Sequence, residues 1–199
     1  MSQASNPVMQ RIHAMSALWM QACEDDKADV VIWRIPQNAG RMMAAFLQAQ
    51  KQAGPWTVPD YFMHLDAVYD TGFEYSRTLN EAVLGSYAAS RESLEGQGVS
   101  VDWGAPSQRW PDSPAGVMAL IDSVARHHGA HFRSLALTLE PPTVRDDASM
   151  AMWLERAIEH LPDRVRLVLV DTIETPRWQR LADGFGERAR VLQPLLGMS

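Results

Sequence analysis

One loop and three carboxylates are the places where this chain could do chemistry. Residues 31–47, "VIWRIPQNAGRMMAAFL", pass from a β-branched run through a short turn into an amphipathic stretch. A loop that cradles a nucleotide triphosphate would read G-x-x-x-x-G-K-[ST] at such a junction. That register holds Ile35, Pro36, Gln37, Asn38, Ala39, Gly40, Arg41 and Met42. Gln37, Asn38, Gly40 and Arg41 make a vestigial phosphate loop, because free N–H groups at a helix start and one cation favour an anion. The same residues also read as a glycine at a helix start and a solvated arginine. The acids Asp66, Glu140 and Asp171 each close an apolar run. If those runs are parallel strands, the acids stand at the edge where open α/β sheets take ligands. Three converging carboxylates could hold a metal, or each could cap a helix or meet an arginine, since no His or Cys accompanies them.

Other candidates carry less. "RHHGAHF" spaces His127 and His131 by four, as zinc ligands on one helix face can be, but no Glu follows the first His as in H-E-x-x-H. Histidines at a helix C-terminus are also favoured by the dipole alone. Cys23 lies among acids in "CEDDKAD", which works against a reactive thiolate. No G-x-S-x-G elbow is present. Trp103, Arg109 and Trp110 flank or occupy a Pro-rich stretch without periodicity, and Trp and Arg are favoured interface anchors. They are candidates for partner binding, unless the loop folds back and plugs its tryptophans into the sheet edge.

The elements that must position these residues follow from hydrophobic spacing. Val8, Ile12, Met15, Trp19 and Ala22 share one face of a helix over 7–22, with Pro7 in its first turn. "DVVIWRI" is apolar at nearly every position, as a strand buried on both faces is. A helix over 38–52, a strand in "DYFMHLDAV" and a long helix in "GFEYSRTLNEAVLGSYAASRESLEGQG" come next. Residues 99–114 break every period and read as a loop. A helix in "AGVMALIDSVARHHG", a strand in "SLALTLE", a helix in "DDASMAMWLERAIEHL" and a strand in "RVRLVLVD" follow. "TPRWQRLADGFGERA" reads as a helix with Thr175 as N-cap and Pro176 in first place, and "RVLQPL" as a last strand. Alternation of this kind predicts a three-layer α/β/α fold with a mostly parallel sheet of about five strands, in one domain over 1–199.

The bulk properties bound the function. A hydrophobic share of 46% and a charged share of 21% suit a globular chain with a full core. A net charge of −6 argues against nucleic-acid binding, which runs on basic surfaces. One cysteine allows no internal disulfide, as expected in a reducing compartment. No basic leader with an apolar core and no membrane-spanning run is visible, so a cytoplasmic location without membrane contact is expected.

Over residues 7–196 the order of elements resembles a P-loop NTPase domain of the AAA or STAND type. The resemblance implies a phosphate loop after the first strand, the acid that ends "SLALTLE", a polar sensor residue at the end of "LPDRVRLVLVDT", and a short closing strand. The chain departs where the chemistry would be. Ile35 replaces the first glycine, Arg41 the lysine, and Met42 the Mg²⁺-holding hydroxyl. Phosphoryl transfer depends on that lysine and metal for charge stabilisation. The resemblance therefore implies a degenerate member that lacks a functional Walker A motif and does not hydrolyse ATP. The chain also resembles small accessory proteins that accompany secreted toxins in Gram-negative type VI secretion, a likeness carried by no single motif. The expected function is a non-catalytic adaptor or chaperone without a cofactor, whose partner is another protein such as a secreted effector. A nucleotide-binding regulator without turnover is the alternative, and a metal-dependent hydrolase using Asp66, Glu140 and Asp171 ranks last.

Overall fold

The computed structural model describes residues 6–96, 98–104 and 110–195. Arg109 lies outside them. Five strands, β1 (Val30–Ile35), β2 (Tyr61–Leu65), β3 (Leu135–Leu139), β4 (Val165–Thr172) and β5 (Ala189–Leu192), form one sheet in the order β2-β3-β4-β1-β5. Every pairing is parallel. The order differs from both common doubly wound arrangements, 3-2-1-4-5-6 and 2-1-3-4-5.

Among the described residues six α-helices cover the two faces. Helices α1 (Pro7–Ala22) and α2 (Gly40–Ala49) pack on one side against Val31, Trp33, Phe62, Ala136 and Val168. Helices α3 (Gly72–Gly96), α4 (Pro114–His127), α5 (Asp147–Glu159) and α6 (Gln179–Phe185) pack on the other against Val30, Ile32, Leu137 and Leu167. The alternation of side chains along each strand feeds two separate cores. Strand β3 is buried at every position, which is why "LALTL" carries no polar face.

Local chemistry sets the helix ends. Pro7 opens α1, as the sequence predicts, and Asn6 caps it by accepting from the Val8 amide. Ser113 caps α4 through the Gly116 amide, and Asp146 caps α5 through the Ser149 amide. Two boundaries differ from the sequence expectation. The stretch after β1 winds first as a tight 3-10 turn, Gln37–Ala39, and α2 proper runs only from Gly40 to Ala49. Helix α6 begins at Gln179 rather than at Thr175–Pro176. The side chain that would have to cap an earlier start, Thr175, is instead turned onto Thr172. At the far end Gly186 has φ of 53°, a conformation that ends the helix and favours glycine.

At the N-terminal edge of the sheet, the residues just before β2 and β3 form a buried polar knot. The Asp60 carboxylate accepts from the Trp19 indole (2.7 Å), the Arg133 Nε (3.0 Å), and the amide (3.1 Å) and hydroxyl (2.7 Å) of Ser134. Burial would raise its pKa, but the hydrogen bonds from Arg133, Trp19 and Ser134 outweigh that and hold it below the ordinary value. Nearby Cys23 is buried, and burial pushes its thiol up to about 11. The native thiol is therefore expected to stay silent toward a thiol-reactive disulfide at pH 7–8 and to react on denaturation. Measuring release of the coloured thiolate before and after adding denaturant checks this.

Candidate functional site

In an open parallel sheet a ligand crevice forms where neighbouring strands send their connections to opposite faces. Here that place lies between β1, which leads to α2, and β4, which leads to α6 on the other side. The four vestigial loop residues Gln37, Asn38, Gly40 and Arg41 are brought there and all are exposed. They do not form a cradle. Ile35 stays in β1, buried and in register with Thr172, so the turn begins one residue too late for a wide loop. Pro36 offers no N–H, and the Ala39 amide folds back onto the Pro36 carbonyl at 2.8 Å. The Gln37 amide is taken by the chain's own Glu174, whose Oε2 lies 3.1 Å away. A carboxylate from the segment after β4 therefore meets the amide that an anion would seek.

The same segment is pinned from both sides. The Ile173 amide donates to the Ile35 carbonyl at 3.0 Å. Asp171 is buried at the end of β4 and gathers three backbone amides: Thr172 (2.9 Å), Arg177 (2.8 Å) and Trp178 (3.1 Å). Arg34 stands beside it at 3.8 Å, an ion pair too long for a hydrogen bond. Asp171 thus holds the chain just ahead of α6, where the sequence assigns a cap to Thr175, and α6 itself has no side-chain cap at Trp178. It folds residues 171–178 over the crevice and seats Trp178 in the core.

The three strand-end acids are not brought together. Asp66 is exposed after β2. Glu140 pairs with His64 of the adjacent strand, Oε2 to Nε2 at 2.9 Å. Asp171 is spent as described. Among the described residues no group of three His, Cys, Asp or Glu side chains is placed to hold a metal ion. The histidines of "RHHGAHF" also have separate partners. His127 lies 2.8 Å from Asp102, and His128 lies 2.8 Å from the Tyr87 hydroxyl. Burial, then the neighbouring His127 and His131, lower the pKa of His128.

The loop tryptophans fold inward. Trp103 is 8% exposed, sits edge-on to Tyr87 with ring centroids 4.7 Å apart, and donates its indole N–H to Ser123 at 3.1 Å. Trp110 is half-buried against the same core. Little of Trp103 is open to a partner in this arrangement. The long helix α3 supplies Tyr87 and α4 supplies Ser123, so the aromatic is absorbed by helix packing rather than by the sheet edge.

Apolar surface appears instead beside the strand ends, at residues the sequence does not single out. Val68, Phe73 and Met152 are 52%, 57% and 55% exposed. Each is the chain neighbour of Tyr69, Gly72 or Trp153, and Gly72 approaches both of the other two. The Cα of Gly72 faces Trp153 and the Tyr69 hydroxyl so closely that a Cβ there would lie 3.3 and 3.7 Å from them. Tyr69 bonds Ser149 of α5 at 2.8 Å, and Tyr75 packs on both Tyr69 and Trp153 at 5.1 and 4.9 Å between ring centroids. The exposed trio is therefore carried by the β2–α3 loop, α3 and α5, whose buried residues meet at Gly72 and Tyr75. On α5 Met152 points outward while Met150, Trp153 and Leu154 around it are buried.

No family model and no curated protein matches the chain. Among the described residues no helix is long and apolar enough to cross a membrane.

Proposed function

We propose that this chain is a non-catalytic protein-binding adaptor, chaperone-like in kind, on a degenerate P-loop-like scaffold. The observation that carries the reading is a contrast at one edge of the sheet. At the crevice between β1 and β4 Glu174 takes the Gln37 amide and Asp171 holds the segment after β4, while towards the β2 side of the sheet Val68, Phe73 and Met152 stand exposed. Apolar side chains exposed on elements that meet at one junction mark interaction sites. The sheet order supports the scaffold by placing the β1–α2 turn at the switch point between β1 and β4. The loss of a phosphate-binding lysine and hydroxyl, to Arg41 and Met42, supports the absence of turnover. A secreted effector is the partner we favour, in line with the likeness to secretion accessory proteins.

The test places a photo-crosslinking phenylalanine analogue at position 73 in the source cells. A discrete adduct is expected, absent when the analogue replaces Leu84, which is 37% exposed on the same helix. Equal or no crosslinking at both positions overturns the reading.

A further inference from the structure

We propose that the free edge of β5 takes an extended segment of a partner protein, which adds to the sheet as a sixth strand and sets a lysine or arginine against Glu24. Strand β5 is the last on its side and pairs only with β1. The Asp29 amide donates to the Arg188 carbonyl at 2.9 Å. Alternation along the strand then turns the backbone of Arg188, Arg190 and Leu192 toward β1, and that of Ala189 and Val191 away from it. The Ala189 amide is spent on the Gly186 carbonyl. The Ala189 carbonyl and both backbone groups of Val191 have no backbone partner among the described residues. A row of such groups is a template for another strand.

A cavity of about 520 Å³ runs along this edge, walled by Leu18 and Ala22 of α1, Glu24 and Asp25 just after it, and Arg190 and Val191 of β5. Helix face and strand edge thus form one groove, with Leu18 and Ala22 as its apolar wall. The charges around it are nearly all matched. Asp25 meets Arg190 at 3.1 Å, Asp26 meets Arg166 at 3.0 Å, Asp29 meets Arg188 at 2.6 Å, and Lys27 meets Glu187 at 3.7 Å. Glu24 is exposed on the groove and has no cation among the described residues. A strand with an apolar side chain over Leu18 and Ala22 and a basic one at Glu24 completes both features. Main-chain hydrogen bonds then give affinity, and the side chains between α1 and β5 give specificity. A helix cannot serve, because its amides and carbonyls are bonded internally. A second copy offering its own β5 fits less well. Its Arg190 would be held by its own Asp25 and its Leu192 buried in its own α1 side of the core, so neither would enter the groove. This edge is the opposite one from β2, so the inference goes beyond the adaptor reading and does not depend on crosslinking at position 73.

The experiment uses the whole chain and two short labelled peptides rich in valine and threonine, one with a central lysine and one with a central glutamate. Fluorescence anisotropy is expected to show the lysine peptide bound at least about fivefold more tightly. Methylating every second backbone nitrogen of that peptide is expected to abolish binding in one of the two alternate sets and to spare it in the other. Only alternate amides of an added strand face β5. Val191→Pro is expected to cost at least about tenfold in affinity with the unfolding midpoint little changed, since the amide it removes lies outside the ladder. Glu24→Lys is expected to reverse the preference between the peptides, and its exposed position keeps the fold out of the comparison. No binding of the lysine peptide, equal binding of the two peptides, equal effects of the two methylation sets, or full binding by a folded V191P overturns the inference. Light scattering that shows a dimer dispersed by V191P overturns it in favour of a second copy of this chain.

Discussion

Asp60→Ala is expected to destabilise the protein by about 3–5 kcal/mol, the cost of removing one partner from a buried charged pair. For a chain of this size that is a fall in unfolding midpoint of roughly 10 °C. The substitution strands several groups at once. The Trp19 indole, the Ser134 amide and hydroxyl and the Arg133 guanidinium all lose their acceptor, and the Asp60 side chain is wholly buried where they meet. Chemical denaturation of the wild type, Asp60→Ala, Trp19→Phe and the double variant checks it. The double variant is expected to lose less than the sum, since the indole bond can be lost only once. Acid gives the same answer by another route. The folded-state pKa of Asp60 lies below its ordinary value of 3.8, so its contribution is complete above that value. It drains away as pH falls from there through the folded pKa. Asp60→Asn is expected to flatten this part of the acid unfolding curve.

Trp153→Ala is expected to cost a similar amount, about 3–5 kcal/mol, through the cavity left by a large aromatic. Trp153 is 4% exposed, packs on Tyr75, and donates its indole N–H to the Ser76 hydroxyl at 2.9 Å. It fills space between α3 and α5, so its loss is expected to loosen the packing of these two helices. Trp153→Phe is expected to cost about 1–2 kcal/mol, because a ring remains. The Ser76 hydroxyl keeps its own acceptor, the Gly72 carbonyl at 2.7 Å, and no donor is orphaned. Thermal unfolding of the two variants side by side separates the volume effect from the hydrogen bond.

The strands were legible because burial on both faces writes itself into sequence. Val30, Val31, Ile32 and Trp33 are all wholly buried, so β1 reads as an unbroken apolar run. Helix α1 was legible from its 3.6-residue spacing and Pro7. Both signals are local. What escaped was non-local. The approach to α6 is held by Asp171, six and seven residues before the amides it accepts from, so Thr175 and Pro176 read as the start in the sequence alone. Asp60 and Arg133 are far apart in sequence and meet only because β2 and β3 are neighbours in the sheet. With the strand order unknown, an acid before one strand and an arginine before another carried no signal. Trp103 looked like a surface anchor because its loop has no period, yet a tryptophan needs only one pocket, and Tyr87 and Ser123 supply it. Of the site, the turn after β1 was correctly placed, but its occupant, Glu174, belongs to a segment that reads as plain loop.

The central claim is that the crevice at the end of β1 is occupied by the chain itself and takes no nucleotide. The direct measurement is thermal unfolding of the purified protein with and without ATP, GTP and their diphosphates in the presence of Mg²⁺. A ligand at a hundredfold excess over its Kd adds about 2.7 kcal/mol. That amounts to a shift of roughly 5–10 °C here. The account predicts no shift with any of them. A shift of several degrees, lost on Arg41→Ala, would contradict it and make this a nucleotide-sensing domain.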